Sequence, residues 1–271
     1  MRIAQITDSH ITAAGTLWKD RVDMAAGLAR AVARLNEIGP DLVVHTGDIV
    51  DGGGEAQYAL AAEILSDLKA PLRLLPGNHD LRERMRAAFG ARVDLPAGPF
   101  LHFAQEADGL LILGLDTIEE GETAGRLCAE RAAWARERLA RGRPALVFAH
   151  HPPCPMGLPF MDRFVFRGAD LAAETFQGRG VLRVATGHVH AAAERHWAGT
   201  LVAACPATGV QIPPVQDGAW PGFALEAPAI RLHDWSPALG LTVKTVPVEP
   251  GPFHPFEADP SADFSGTPHA G

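Results

Sequence analysis

The stretch MRIAQITDSH (residues 1–10) decides the fold, because it joins a strand-like apolar run directly to a polar turn. The run from Met1 to Thr7 is short and mostly apolar, which is typical of a buried β-strand. Similar runs recur along the chain, and each is followed by Gly, Asp, His or Asn and then by a longer amphipathic segment. We therefore predict a layered α/β fold.

The remaining elements follow from the same two patterns. Short apolar runs predict further buried strands over residues 41–46, 72–75, 110–115, 145–149 and 181–186. Apolar residues at helical spacing, with charged residues on the other face, predict helices over residues 22–37, 55–68 and 130–140. The pattern then changes, and we interpret residues 201–204, 223–232 and 241–246 as strands that continue a sheet in antiparallel fashion.

The chain is long enough to bury one large core, since 47% of its 271 residues are hydrophobic. We assign residues 1–247 to one catalytic domain and residues 248–271 to a Pro-rich C-terminal tail. Residues 210–221 are rich in Pro, Gln and Gly and are predicted to form a lid or a dimer loop beside the site. As a dimer loop, this segment would make the protein a homo-oligomer.

Composition restricts the partners and the location. A net charge of -8 and a pI near 5.8 argue against an extended basic face, so we expect neither a nucleic-acid polymer nor a membrane as partner. The first residues enter a strand without an export signal, and three widely spaced cysteines suit a reducing compartment. We therefore expect a cytoplasmic protein.

Polar residues cluster directly after five of the predicted strands. Because the carboxyl ends of strands in an open α/β sheet share one edge, these groups are expected to meet in one crevice. Imidazole together with carboxylate suits iron, manganese, zinc or cobalt, and seven donors are too many for a single tetrahedral ion. Two ions that share one carboxylate would use all seven. The candidate ligands are Asp8, His10, Asp48, Asn78, His150, His188 and His190.

Five motifs occur in a characteristic order: DSH (8–10), GDIVD (47–51), GNHD (77–80), AHHPP (149–153) and GHVH (187–190). Together they resemble the calcineurin-like metallophosphoesterases from residue 1 to about residue 190. The segments LDTIEEGETAGRL (115–127), HHPPCPMGLPFMD (150–162) and ATGVQIP (207–213) resemble the bacterial branch that contains class III cyclic nucleotide phosphodiesterases and a glycerophosphodiesterase.

The resemblance implies a four-layer αββα sandwich of two mixed β-sheets flanked by helices. It also implies a dinuclear centre in which Asp48 bridges the two ions. One ion would be held by Asp8, His10, Asp48 and His190, and the other by Asp48, Asn78, His150 and His188.

The expected mechanism places a metal-bridging hydroxide as the nucleophile that attacks phosphorus. His79, next to Asn78 on the same turn, is expected to protonate the leaving oxygen. Asp51 matches the family position whose carboxylate orients this histidine. Gly52 stands where related protein phosphatases carry an arginine that grips a phosphate dianion, which favours diester over monoester substrates.

These observations predict a hydrolase, namely a metal-dependent phosphodiesterase with a small-molecule substrate. We expect 3',5'-cyclic nucleotides such as cAMP as substrates, with iron or manganese favoured over zinc or cobalt. Glycerophosphodiesters and then phosphomonoesters are the alternative substrates, and a metal-binding interaction scaffold is the non-enzymatic alternative. The segment from Cys154 to Asp162, with Met156 and Phe160, either lines the substrate pocket or packs into the core.

Overall fold

A computed structural model describes residues 1–213 and 222–252 of the chain. Most of the predicted 210–221 loop and of the 248–271 tail therefore lies outside the described residues. Within these ranges the helices are α1 (Met24–Ile38), α2 (Glu55–Ser66), α3 (Arg82–Phe89), α4 (Ala129–Leu139) and α5 (Ala169–Phe176). The strands are β1 (Arg2–Ile6), β2 (Leu42–His45), β3 (Leu72–Leu74), β4 (Phe103–Ala107), β5 (Leu110–Leu115), β6 (Ala145–Ala149), β7 (Val181–Thr186), β8 (Ala193–Trp197), β9 (Thr200–Ala204), β10 (Ala229–Ser236) and β11 (Gly240–Pro247).

The strands form two mixed sheets. The first has the order β11-β10-β1-β2-β3, in which β1, β2 and β3 are parallel and β10 and β11 are antiparallel to their neighbours. The second has the order β4-β5-β6-β7-β9-β8, with parallel strands in the middle and an antiparallel strand at each edge. Each sheet thus has parallel strands whose carboxyl ends can carry functional groups.

Three hydrophobic clusters separate four layers. The two sheets pack against each other through buried residues such as Ile3, Leu146 and Phe148. A second cluster joins the outer face of the first sheet to α1, α2 and α3, and a third joins the second sheet to α4 and α5. The predicted αββα sandwich is therefore confirmed, because each sheet buries one face against the other sheet and one against helices.

Elements with a strong hydrophobic pattern were predicted, and elements with a weak hydrophobic pattern were missed. The helices α1, α2 and α4 lie within two residues of their predicted bounds, and Asp23 caps α1 by accepting a hydrogen bond from the Ala26 N–H at 2.9 Å. The edge strands β4 and β8 were missed because their residues are mostly half-buried or exposed. The short helices α3 and α5 were also missed, since α3 buries only Met85 and Phe89.

The late strands differ from the prediction in two respects. The strand expected over residues 223–232 begins only at Ala229, because Leu225 and the residues after it are exposed and lack a pairing strand there. The strands β10 and β11 pair in antiparallel fashion, as expected, whereas β9 is antiparallel to β8 but parallel to β7. In the part of the chain that the structure describes, each helix is too short or too polar to cross a lipid bilayer.

Candidate dinuclear metal centre

The carboxyl ends of strands from both sheets meet at the candidate site. Asp8 and His10 follow β1, Asp48 follows β2 and Asn78 follows β3, all in the first sheet. His150 follows β6, and both His188 and His190 follow β7, in the second sheet. The structure thus brings all seven predicted ligands together at the junction of two sheets, rather than along the edge of one.

Backbone hydrogen bonds fasten these turns to one another. The Asp8 N–H donates to the Gly47 carbonyl at 3.0 Å, within the first sheet. The His188 N–H donates to the Asp8 carboxylate at 3.0 Å, and this bond joins the two sheets. Gly77 must lack a side chain, because a Cβ there would lie 2.2 Å from the Asp48 nitrogen. The turns are therefore in close contact, which fixes the relative positions of the side chains they carry.

Five of the seven candidate ligands have a left-handed backbone, which is uncommon for residues other than glycine. Such strain costs about 1 to 3 kcal/mol per residue and persists where the surrounding structure enforces it, often at functional sites. Here the surrounding close-packed turns supply that constraint. The residues are Asp8 (φ 54°), His10 (φ 41°), Asp48 (φ 53°), His188 (φ 69°) and His190 (φ 49°).

The first group of donors comprises Asp8, His10, Asp48 and His190. The His190 Nδ1 lies 2.9 Å from the Val210 carbonyl oxygen, which can only accept, so this nitrogen carries the proton. By the same logic the His10 Nδ1 donates to the Asp51 carboxylate at 3.2 Å. The Nε2 lone pairs of the two rings consequently face each other at 3.1 Å. The His190 Nε2 also lies 3.3 Å from the Asp8 carboxylate, and the His10 Nε2 lies 3.5 Å from the Asp48 carboxylate.

The second group comprises Asp48, Asn78, His150 and His188. The His150 Nδ1 donates to the Thr46 carbonyl at 2.8 Å, so the Nε2 lone pair points inward. This Nε2 lies 3.3 Å from the Asp48 Oδ2 and 3.2 Å from the Asn78 Oδ1. The same Asn78 oxygen lies 3.0 Å from the His188 Nδ1. Asp48 is therefore the carboxylate common to both groups.

This arrangement fits two cations. Lone pairs of neutral histidines and carboxylates repel one another at these separations, and a cation between them replaces repulsion by coordination. Three of the four histidines donate their outer ring N–H to an oxygen, as is usual for histidines that bind metals. His188 is the exception, because its buried Nε2 has no hydrogen-bond partner among the described residues.

The ionisation of the site without metal follows from its burial and its charges. Burial lowers the pKa of His150, but the nearby Asp48 and Asp8 carboxylates outweigh this effect and raise it to about 9. Burial raises the pKa of Asp48, yet His150 and His10 hold it well below its ordinary range overall. His150 therefore holds a proton more tightly than a free imidazole does, and a cation that binds to its Nε2 competes with that proton.

His79 lies beside the centre, on the side open to solvent. Its main-chain N–H donates to the Asp48 carboxylate at 2.8 Å. Its ring contacts the His10 ring edge-on, with 4.6 Å between the centroids. The His79 Nδ1 donates to the main-chain oxygen of Asp51 at 2.6 Å, while the Asp51 carboxylate lies 3.9 Å away. We expected the Asp51 carboxylate to orient His79. In the structure this carboxylate lies within hydrogen-bond distance of His10, and it is the main-chain oxygen of Asp51 that binds His79.

Three neighbouring residues support the turns. Both ring nitrogens of His151 are engaged, by the Thr117 hydroxyl at 2.9 Å and the Thr123 carbonyl at 3.1 Å, so no lone pair remains for a metal. The buried Asp80 accepts from the Gly77 N–H at 2.9 Å, and burial, with the charge of Asp48, raises its pKa to about 6. His45 accepts from the Gly47 N–H at 3.2 Å.

A cavity of about 520 Å³ opens above the centre. Besides the candidate ligands, its lining is largely apolar and aromatic and includes Trp18, Phe160, Phe164, Ile212 and Phe223. Phe160 and Met161 line this cavity, so the segment from Cys154 to Asp162 contributes to the pocket as well as to the core. Trp18 and Phe223 were not predicted, because no motif or spacing links them to the candidate ligands.

The chain is similar to proteins of known families and folds. A family model described as calcineurin-like phosphoesterase matches residues 1–192. A protein of Arcobacter nitrofigilis named "Probable glycerophosphodiester phosphodiesterase GpdQ" is 33% identical, over 90% of this chain and 92% of its own length. The 3',5'-cyclic adenosine monophosphate phosphodiesterase CpdA of Escherichia coli is 30% identical, over 79% of this chain and 78% of its own. A dimetal phosphatase from Danio rerio shares the fold, with a TM-score of 0.63 at 14% identity over 92% of this chain and 99% of its own.

Proposed function

The chain belongs to the calcineurin-like phosphoesterase family, and from this premise we propose that its seven convergent donors hold two transition-metal ions. The observation that carries the proposal is the inward direction of the Nε2 lone pairs of His10, His150 and His190, which follows from their Nδ1 hydrogen bonds. Asp48 is proposed as the bridging ligand. The family and its phosphodiesterase relatives make the protein a metal-dependent phosphodiesterase.

The metals and the protein contribute different parts of the reaction. Two bound cations supply Lewis acidity, which lowers the pKa of water and offsets the negative charge of the phosphate oxygens. His79 is proposed to supply a proton when both of its ring nitrogens are protonated: its Nδ1–H donates to the Asp51 main-chain oxygen, so the proton on its Nε2 is the one that passes to the leaving oxygen, which leaves a neutral ring. The apolar cavity walls exclude water from the substrate and strengthen the electrostatic interactions within.

We propose 3',5'-cyclic nucleotides such as cAMP as the preferred substrates. The aromatic lining of the cavity suits a planar base, and the named activity of the Escherichia coli relative is consistent with this choice. Gly52, where related phosphatases have an arginine, supports a diester with one negative charge. Iron or manganese is the proposed metal, since iron accepts the imidazoles and manganese the carboxylates of a set that contains four histidines and two aspartates.

Glycerophosphodiesters are the second candidate substrates. The observation in their favour is the 33% identity over most of both chains with a protein named for that activity. Hydrolysis of cAMP, glycerophosphocholine, bis(p-nitrophenyl) phosphate and p-nitrophenyl phosphate, each with added Mn²⁺, Fe²⁺, Zn²⁺ or Co²⁺, tests the order of preference. A preference for the monoester p-nitrophenyl phosphate would overturn the proposed substrate class.

The Asp48→Ala variant tests the proposed bridge. We expect it to lose both metal ions and the phosphodiesterase activity together, because it removes the one ligand common to both groups. The exposed Asp94→Ala variant serves as the control for loss of an aspartate and should keep both. Metal content after dialysis against Mn²⁺ is measured together with the rate. Retention of two ions by Asp48→Ala would contradict the assignment, and full metal content without turnover in the wild-type protein would instead support an interaction scaffold.

A further inference from the structure

Trp18 contacts both the proposed metal centre and the cavity above it. Its indole Nε1–H donates to the Asp51 Oδ1 at 3.0 Å. The same oxygen accepts from the His10 Nδ1–H at 3.2 Å. One carboxylate oxygen therefore receives two hydrogen bonds, and the indole restricts the carboxylate that in turn orients the His10 ring.

A strained turn holds Trp18 in place. The Arg21 N–H donates to the Trp18 carbonyl at 3.0 Å, which closes a four-residue turn. The two central residues, Lys19 and Asp20, have φ values of 48° and 57°. This is the geometry of a turn that favours glycine, asparagine or aspartate at its two central positions, so Asp20 suits the turn and Lys19 does not. Lys19, directly after Trp18, is therefore the strained residue of this turn.

The ring of Trp18 forms one wall of the cavity together with Phe223. Their ring centroids lie 4.9 Å apart with 75° between the planes, an edge-to-face contact. Both residues are only half-buried and line the cavity above the metal centre. The non-phosphate part of a substrate bound at the centre would therefore lie against this wall.

Val210 and Ile212, which also line the cavity, hold His190 in place. The Val210 carbonyl accepts from the His190 Nδ1–H at 2.9 Å, and the Ile212 N–H donates to the His190 carbonyl at 2.9 Å. The neighbouring Gln211 pairs with Ala224, the residue after Phe223. Asp51, which holds the His10 ring, is thus bonded to Trp18, and Val210, which holds the His190 ring, lies next to a residue that pairs beside Phe223.

We propose that Trp18 is a positioning and specificity residue of the phosphodiesterase. Its N–H positions Asp51 and thereby His10, and its ring contacts the group esterified to the phosphate, so that a planar base is preferred over an aliphatic alcohol. This inference rests on the proposed function. The geometry separates the two roles, because one belongs to the indole nitrogen and the other to the aromatic ring.

Two substitutions distinguish these roles. Trp18→Phe keeps an aromatic ring but removes the N–H donor, whereas Trp18→Leu removes both. Trp134→Phe is the matched control, because Trp134 stacks on His102 at 4.4 Å between centroids and is not among the described residues that line the cavity. For each protein we would measure Mn²⁺ affinity by calorimetry, kcat and KM for cAMP and glycerophosphocholine, and the affinity for AMP and ribose 5-phosphate.

Trp18→Phe is expected to weaken Mn²⁺ binding and to lower kcat for both substrates by roughly 10-fold, the lower end for outer partners of metal ligands. Its preference for AMP over ribose 5-phosphate should be retained. Trp18→Leu is expected to show the same losses and also a rise of about 10-fold in KM for cAMP alone, the scale of base stacking on an aromatic ring. Its preference for AMP should be lost.

Each half of the inference has its own refuting result. Wild-type Mn²⁺ affinity and kcat in Trp18→Phe would overturn the positioning role. An undiminished preference for AMP in Trp18→Leu would overturn the specificity role. If the wild-type protein hydrolyses no diester, the proposed function fails, whereas the comparison of AMP with ribose 5-phosphate still measures the contact with the ring.

Discussion

The close approach of Gly77 to Asp48 makes a single methyl group a sharp test of the metal centre. A Cβ added at Gly77 would lie 2.2 Å from the Asp48 nitrogen, 2.2 Å from its Oδ1 and 2.7 Å from its Cγ. Unstrained contacts between heavy atoms lie near 3.5 Å, so the two turns must separate by roughly 1 Å. Neither turn can move freely, because hydrogen bonds from both reach Asp80 and the neighbouring strands.

The expected cost of Gly77→Ala follows from this displacement. Overpacking of a rigid site costs about 1 to 3 kcal/mol, which lowers the melting temperature by roughly 2 to 12 °C for a chain of this size. A misplacement of about 1 Å in a reactive constellation lowers the rate by about 10²-fold. Because Asp48 belongs to both groups of donors, the variant should bind less than two equivalents of Mn²⁺.

Gly98→Ala is the matched control, since a Cβ at Gly98 would meet nothing within 4 Å. The assays are metal content by mass spectrometry after dialysis against Mn²⁺, the hydrolysis rate of bis(p-nitrophenyl) phosphate, and thermal unfolding. Gly98→Ala should match the wild-type protein in all three. A Gly77→Ala protein with two bound Mn²⁺ ions and an unchanged rate would refute the steric reasoning.

Three further predictions concern catalysis, acid stability and a buried ion pair. His79→Ala should keep both metal ions but hydrolyse diesters about 10²- to 10⁴-fold more slowly, and an unchanged rate would remove its role as proton donor. Burial lowers the pKa of His233 to about 3. Below pH 6.5 the unfolded chain therefore binds a proton that the folded protein does not bind, so the free energy of unfolding decreases as the pH falls from 6.5 toward 3. His233→Gln should therefore lose about 2 kcal/mol less than wild type between pH 7 and pH 4.5 in urea unfolding, and equal losses would contradict this. Arg82→Ala should lower the free energy of unfolding by about 3 kcal/mol in the same assay, because it removes the ion-pair partner, at 2.7 Å, of the fully buried Asp116. The control Arg30→Ala, at an exposed arginine, should change it by less than about 0.5 kcal/mol. Similar values for the two variants would show that the buried pair contributes little.

The candidate ligands could be predicted because their signal is local. A polar residue directly after an apolar run is visible in ten residues of sequence, as with Asp8 and His10 after the first strand. The same signal repeated five times indicated convergence, since strand ends of one sheet share an edge. Apolar runs long enough to predict β1, β2 and β6 also located the layers around them. The weakly patterned edge strands β4 and β8 escaped, because an edge strand buries little of its surface.

The amino-acid sequence by itself determined which residues are candidate donors and where each stands relative to its strand, because both are properties of short segments. Only the tertiary structure decided which groups meet across long intervals of chain. The Thr46 carbonyl that fixes the ring of His150 lies 104 positions away from it, and the Trp18 indole reaches Asp51 across 33 positions. Such contacts leave no periodic trace in the sequence, since the first arises only when two sheets pack face to face and the second only when the loops after two neighbouring strands meet.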